Sequence, residues 1–298
     1  MKYRISFVGM LLFSALTTFG QVSGNQVFNQ YGNYGDKNSS PATPSPSKIY
    51  LTDSTFFINS SVLINVVADS YVATFGVAES AETLKAANMQ IEDRIQKFIS
   101  ALKKMGVLPS DIYVDMTTQT QILDYKINGS YAEQFISGFE QKKNVIVKFK
   151  NINDLDKMVI AASEYEIYDL VKVDYIVTDH NKIYTQLFQT AMEFLNNKKD
   201  LYVKATNIKL NKYPKISGEL FYSLTPPELY ESYTPKNIST EYSDYDYNRK
   251  KKNLQVSTTY YYNHINYSTF DKVINPIVTA PAVEFILLLQ LKFDIEKE

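Results

Sequence analysis

The chain has no cysteine, no tryptophan, two histidines and ten glycines among 298 residues. The missing cysteine removes disulfides, a thiolate nucleophile and Cys-ligated zinc or iron–sulfur sites together. It also removes the residue that carries the lipid of a bacterial lipoprotein. Such a chain must rest on its hydrophobic core or on self-association. With so few glycines there is little material for a phosphate-cradling loop, and neither G-x-S-x-G nor H-E-x-x-H occurs. His180 and His264 stand far apart in the chain. A metal site would need both to converge with a further acid such as Asp179, and two solvated loop histidines are the simpler reading. A formal charge of -1 gives no reason to expect nucleic acid as a partner. No catalytic residue, cofactor or metal is expected, with an unrecognised hydrolase as the residual alternative.

Hydrophobic residues at 45% and charged residues at 21% fit a globular protein with a substantial core. At the N-terminus, Lys2 and Arg4 precede an apolar run from Ile5 to about Leu16, followed by Thr18-Phe19-Gly20 with small residues at the minus-three and minus-one positions. This reads as a secretory signal peptide over residues 1–20, cleaved near Gly20-Gln21. The run is well short of the roughly 20 residues a spanning helix needs, so no transmembrane span is expected in the mature chain. Residues 21–48 are rich in Gly, Asn, Ser and Pro without hydrophobic period. They cannot bury enough apolar surface to offset their ordering entropy and are expected to form a disordered tether. The ordered domain then spans 49–298.

Periodicity predicts the elements. Val62, Ile64 and Val66 mark a strand, and Tyr71 to Val77 a second one after the interruption at Ala68-Asp69-Ser70. A helix is predicted over 79–105, where Leu84, Ile91, Phe98 and Met105 stand seven apart, with Gly106 as its left-handed cap. Strands follow over 112–122 and 136–149, then a short helix capped by Asn153 with Leu155, Met158 and Ala162 on its apolar face. Next come a strand over 167–177 and a long helix from about Asn181 to Lys204. The closing strand is the strongest signal. Val283, Phe285, Leu287, Leu289, Leu291, Phe293 and Ile295 occupy every second position. Its other face begins at Glu284 and ends in Gln290, Lys292 and Asp294, with Ile286 and Leu288 apolar between them. A strand apolar on both faces is central and covered on both sides, by the chain's own elements or by another subunit.

What the chain has in excess is tyrosine, 24 residues beside 17 phenylalanines. Many lie in a weakly periodic region, about 206–279. Tyr230, Tyr233, Tyr242, Tyr245, Tyr247, Tyr260, Tyr261 and Tyr262 form a candidate contact surface, since tyrosine offers a flat apolar face with a polar tip. On this reading the insertion is dispensable for the core. The competing reading has them packing the insertion onto its own domain. The basic run Arg249 to Lys252 follows Glu241, Asp244 and Asp246 and reads as a self-neutralising solvated loop.

One stretch points to a family. Residues 136–147, ISGFEQKKNVIV, place Ile136, Gly138 and Phe139 before an alternating strand through Val145 and Val147. Together with Ala68-Asp69 between two strands, Gly106-Val107 before Asp111-Ile112, Asp154-Leu155, the helix carrying Ala191 and Lys198, and the closing strand, this resembles the SIMPL-domain family of YggE-like envelope proteins. The chain departs from that pattern at Ala68, Val114, Leu195 and Lys199, and at Glu164-Tyr165-Glu166 where members have a Gly-Ala-Asn turn. The resemblance implies an α+β domain, a mostly antiparallel sheet with two long helices and one short helix packed on it. It further implies a non-catalytic protein of the periplasm or outer envelope, a homo-oligomer loosely linked to stress tolerance. The alternative is a module that binds an envelope glycan or a protein partner through the tyrosines.

Overall fold

The computed structural model describes residues 49–115, 118–233, 258–276 and 279–296. The expected signal peptide and tether lie outside them. In chain order the first elements are β1 (Tyr50–Leu51), β2 (Thr55–Val66), β3 (Ser70–Ala81), α1 (Leu84–Lys104), β4 (Ile112–Val114), β5 (Thr118–Asn128) and β6 (Tyr131–Phe149). They are followed by α2 (Asp154–Ser163), β7 (Asp169–Ile176), α3 (His180–Thr206), β8 (Lys215–Leu224), β9 (Tyr230–Tyr233), β10 (Thr259–Tyr262), β11 (Lys272–Ile274) and β12 (Val283–Asp294).

The strands form two main sheets rather than one, with α+β content as expected. The first runs β1-β2-β12-β8, with β11 on β2; the second runs β4-β6-β3-β7, with β5 on β6. All these pairings are antiparallel except β11 with β2. β2 passes into β3 through Val67, Ala68 and Asp69, so one continuous segment supplies a strand to each sheet. Asp69 fastens that crossing. Its carboxylate accepts from the Thr178 amide at 2.8 Å and the Thr178 hydroxyl at 2.7 Å, which ties it to the entry of α3. These bonds, the hydroxyl first, hold its carboxyl below the usual range.

Both long helices bury one stripe. In α1 this is Ala87, Ile91, Ile95, Phe98 and Leu102, laid on β3 and β6. Thr83 caps its start by accepting from the Ala86 amide. Its end is a Schellman turn: Gly106 at φ 91° lets its amide reach Lys103 O while the Val107 amide reaches Leu102 O. In α3 the stripe is Ile183, Leu187, Ala191 and Leu195, laid on β2 and β12, and Asp179 accepts from the Lys182 amide at the start. Both stripes enter one core with Phe56, Phe75, Val145, Val147, Phe285 and Leu289.

Three local expectations change. The helix begins after Thr83, not at Glu79, because Glu79, Ser80 and Ala81 are still paired with Gln141, Glu140 and Phe139. Asn153 makes no side-chain cap; Asn151 instead accepts from the Asn153 amide at 3.1 Å. The strand expected over 112–122 is two strands, and the second continues to Asn128, where Gly129 and Ser130 turn it back into β6. Gly129 sits at φ 62°, a conformation L side chains avoid, which suits the first position of a two-residue hairpin turn.

The Glu164-Tyr165-Glu166 turn closes α2 in the same manner as Gly106 closes α1. Glu166 takes φ 59°, and the Ile167 amide reaches Ala162 O. A non-glycine residue there carries a steric cost of about 1–2 kcal/mol. Arg94 of α1 holds the turn by donating to the carbonyls of Tyr165 and Glu166, and also to Ala78 O and Glu79.

The register of β12 yields a direct test. Leu289 is 1% exposed within the α3-facing core, whereas Lys292 is half-buried, over the Phe57 ring and near Asp294. Leu289→Asp places an unpaired carboxylate in the core and should cost several kcal/mol, a large part of a domain's margin. Lys292→Asp loses only partly exposed contacts and should cost about 1 kcal/mol or less. Thermal melts of both variants check this; equal melting temperatures would refute the register.

Candidate functional site

β12 divides the first sheet into two faces. Phe285, Leu287 and Leu289 point to α3, and Glu284, Ile286, Leu288 and Gln290 point the other way. Part of this second face is covered by the tyrosine-rich region itself. Leu229 and Ile265 pack on Leu63 and Ile286, with Tyr222, Tyr262, Tyr267 and Phe270 around them. The cover needed by a doubly apolar central strand therefore comes from the same chain.

At one end of this face stands Glu284. This acid, where the second face of the strand begins, is fully buried. The Tyr262 hydroxyl donates to Oε1 at 3.4 Å, the Ile265 amide also donates to the carboxylate, and His264 is close. Its Oε2 makes no hydrogen bond, and neither does the side chain of Asn65, its partner across the ladder on β2. Desolvation dominates and pushes the Glu284 carboxyl up to about 6. The surrounding phenols shift upward too: Tyr262 and Tyr222 by burial and then by Glu284, Tyr175 and Tyr230 by burial.

The β9–β10 hairpin sorts the predicted tyrosines by alternation. Tyr230 pairs with Tyr262 and Tyr260 with Ser232, so Tyr230, Tyr260 and Tyr262 share the inner face. Tyr230 is buried, Tyr260 and Tyr262 are half-buried, and the Tyr230 and Tyr262 rings meet edge to face at 5.9 Å. Tyr233 and Tyr261 lie on the outer face and are 59% and 45% exposed. Tyr242, Tyr245 and Tyr247 lie outside the described residues. Tyr230 and Tyr262 are thus a correction to the expected contact surface, because the apolar face around Ile286 draws them inward. Tyr71, Tyr175 and Tyr222 join them from outside the predicted set. The isolated acid in the apolar run AVEFILLL was the available signal for Glu284.

The two histidines lie on opposite faces of β12. His180 meets Phe285 edge to face and His264 stacks on Tyr267, so the geometry does not bring them together. Among the described residues, no group of three or more His, Asp or Glu could hold a metal ion. Farther along the same sheet face the cover ends, leaving an open groove of about 350 Å³ beside Asn59, Ser61, Gly218, Leu220, Leu288 and Gln290.

The least covered apolar surface is elsewhere. β5 and the first residues of β6 form a two-stranded arm, and β5 is exposed along its whole length. Leu123, Tyr125 and Ile127 face the same way as Ile136, with Tyr125 62% and Ile127 78% exposed. The arm leaves the body at Gly138, where a Cβ would stand 2.9 Å from Ala81 O, and opposite it the ladder slips between Ile122 and Leu123. The glycine of the ISGF stretch thus serves a close backbone approach at the root of the arm.

Two outcomes test this site. Glu284 binds its proton more tightly folded than unfolded, so its contribution to stability is full below about 4.5 and is lost as pH rises through about 6. Glu284→Gln should therefore match the parent at pH 4 and exceed it by up to about 2 kcal/mol at pH 8. Parallel melting curves across that range would refute a buried, raised carboxyl. Second, the melting temperature tests the cover over Leu63 and Ile286. Removing Pro226 to His264 should lower it markedly, because Leu229, Tyr230 and Tyr262 leave with it.

Among the described residues no helix is long and apolar enough to cross a membrane. No curated protein matches the chain at a significant level. The family described as SIMPL, protein of unknown function (DUF541), matches residues 60–259, from the middle of β2 to the start of β10. With the matched stretch holding both long helices, the whole second sheet and the ISGF arm root, the chain belongs to the SIMPL family.

Proposed function

We propose that this chain is an exported, non-catalytic protein of the periplasm or outer envelope that works as a self-associating unit. The observation that carries this reading is the bare arm. An isolated two-stranded hairpin is marginal in water, and this one presents Leu123, Tyr125, Ile127 and Ile136 uncovered on one face. The basic start and short apolar run before Gly20 support export. Cysteine-free composition and the absence of a nucleophile motif in the sequence favour a binding role over a catalytic one.

A second reading keeps the tyrosines. Tyr233 and Tyr261 stand together on the outer face of the β9–β10 hairpin, which suits stacking on an envelope sugar or a protein partner. Glycan pull-down lost in a Tyr233→Ala/Tyr261→Ala variant would favour it.

Light scattering coupled to size exclusion on the exported protein tests the first reading. The expected mass is a multiple of the monomer, with an N-terminus at Gln21. A monomer at every concentration, or an intact Met1 held in the membrane fraction, would overturn it.

A further inference from the structure

We propose that β5 is the self-association edge, pairing antiparallel with β5 of a second copy about a two-fold axis through Tyr125. This rests on the self-association reading and adds the surface, the symmetry and the register.

The backbone supplies the first argument. β5 pairs only with β6, so its outer edge is unpaired among the described residues. Beside the two-residue turn, Asn128 and Tyr131 form the hydrogen-bonded pair, and pairs then alternate along the ladder. Asn128, Lys126 and Asp124 direct their backbone groups to β6. Leu123, Tyr125 and Ile127 direct theirs outward. Nothing blunts this edge: it has no proline and a single lysine.

The side chains select the register. A two-fold axis at Tyr125 sets Asp124 opposite Lys126 of the second copy, and Lys126 opposite Asp124. The same axis sets Leu123 opposite Ile127 on the other face, twice. An axis at Asp124 or at Lys126 would place like charges directly opposite each other, which is destabilising. A shift by one residue would send the apolar and charged sets to opposite faces. The Tyr125 axis therefore satisfies charge, apolar pairing and the outward backbone groups at once.

The resulting sheet has four strands. One row reads Glu133, Lys126, then Asp124 and Phe135 of the second copy, because Lys126 already faces Glu133 and Asp124 already faces Phe135. The opposite face gathers Leu123, Tyr125, Ile127 and Ile136 from each copy. Paired residues run from Ile122 to Asn128, so each turn reaches the partner's Gln121. The two bodies then sit at opposite ends of the shared sheet and do not compete for space.

Sedimentation velocity on the full exported chain tests this with four variants. Tyr125→Pro removes an outward amide and leaves the bonds to β6 in place, so the arm survives and the dimer should be lost. Asp124→Lys and Lys126→Asp should each weaken the dimer by roughly tenfold or more, through two symmetric like-charge contacts. The double exchange Asp124→Lys/Lys126→Asp should restore it. Unchanged melting temperatures confirm that the body is intact, since the arm lies outside the core. A monomeric parent overturns the self-association reading itself. An oligomer indifferent to Tyr125→Pro leaves that reading standing and overturns the β5 edge. An oligomer lost with Tyr125→Pro but indifferent to the charge exchanges overturns the register. Binding of the arm to lipid vesicles or to another protein, with the parent monomeric, assigns the edge to a different occupant and overturns the proposal.

Discussion

The pairing of β2 with β12 is the constraint on which the rest depends. It runs unbroken from Thr55 opposite Asp294 to Val66 opposite Val283, joining the first long strand of the described residues to the last. α3 packs across both strands, β8 and β1 extend the sheet on either side, and β2 passes directly into β3 of the second sheet. Closing so long a loop costs chain entropy before any contact is gained. The strand that closes it is correspondingly apolar. Seven of its residues between Val283 and Leu291 are buried on two faces, with Glu284 the only charge among them.

That double burial explains the tyrosine-rich region. Its inner residues cover Leu63 and Ile286, and its outer residues remain available to solvent. The boundary between them is the two-residue period of a strand, so a run such as Tyr260-Tyr261-Tyr262 is divided between core and surface. Glu284 is the cost of ending this cover near a chain turn. Its proton affinity rises because burial strips water from the carboxylate, and the bonds from Tyr262 and Ile265 offset that only in part, leaving one oxygen unpaired. A cluster of this kind stabilises best when the acid is neutral, and it links the stability of the fold to mildly acidic pH.

The arm differs from the core in every physical respect. It is a local hairpin formed by a two-residue turn, it carries large apolar side chains, and it contributes nothing to the main core. A surface with those properties has a reason to exist outside the stability of the monomer. Gly138 permits the approach to Ala81 at its root, so the ISGF stretch marks where the body ends and the arm begins.

Period and capping made the body legible in the sequence. The stripes of α1 and α3, the alternation of β12 and the left-handed Gly106 are local consequences of where apolar side chains must point. The order of elements and the α+β class followed from them, as did the family, through residues such as Gly138 and Asp69 whose geometry the fold then explained. Other features depend on partners distant in the chain. Nothing local distinguishes a solvent-facing Glu284 from a buried one until Tyr262, Ile265 and Asn65 are brought around it. The same holds for Tyr230 and Tyr233, three residues apart with opposite fates. The strand expected to end at residue 122 stops short of where β5 ends, at Asn128, because the outer half of β5 obeys a turn at Gly129 rather than a buried face. The sequence by itself determined which residues must leave water. Only the tertiary structure decided what covers them, and among the described residues it left the Leu123–Ile127 edge uncovered because no element packs over the far side of β5.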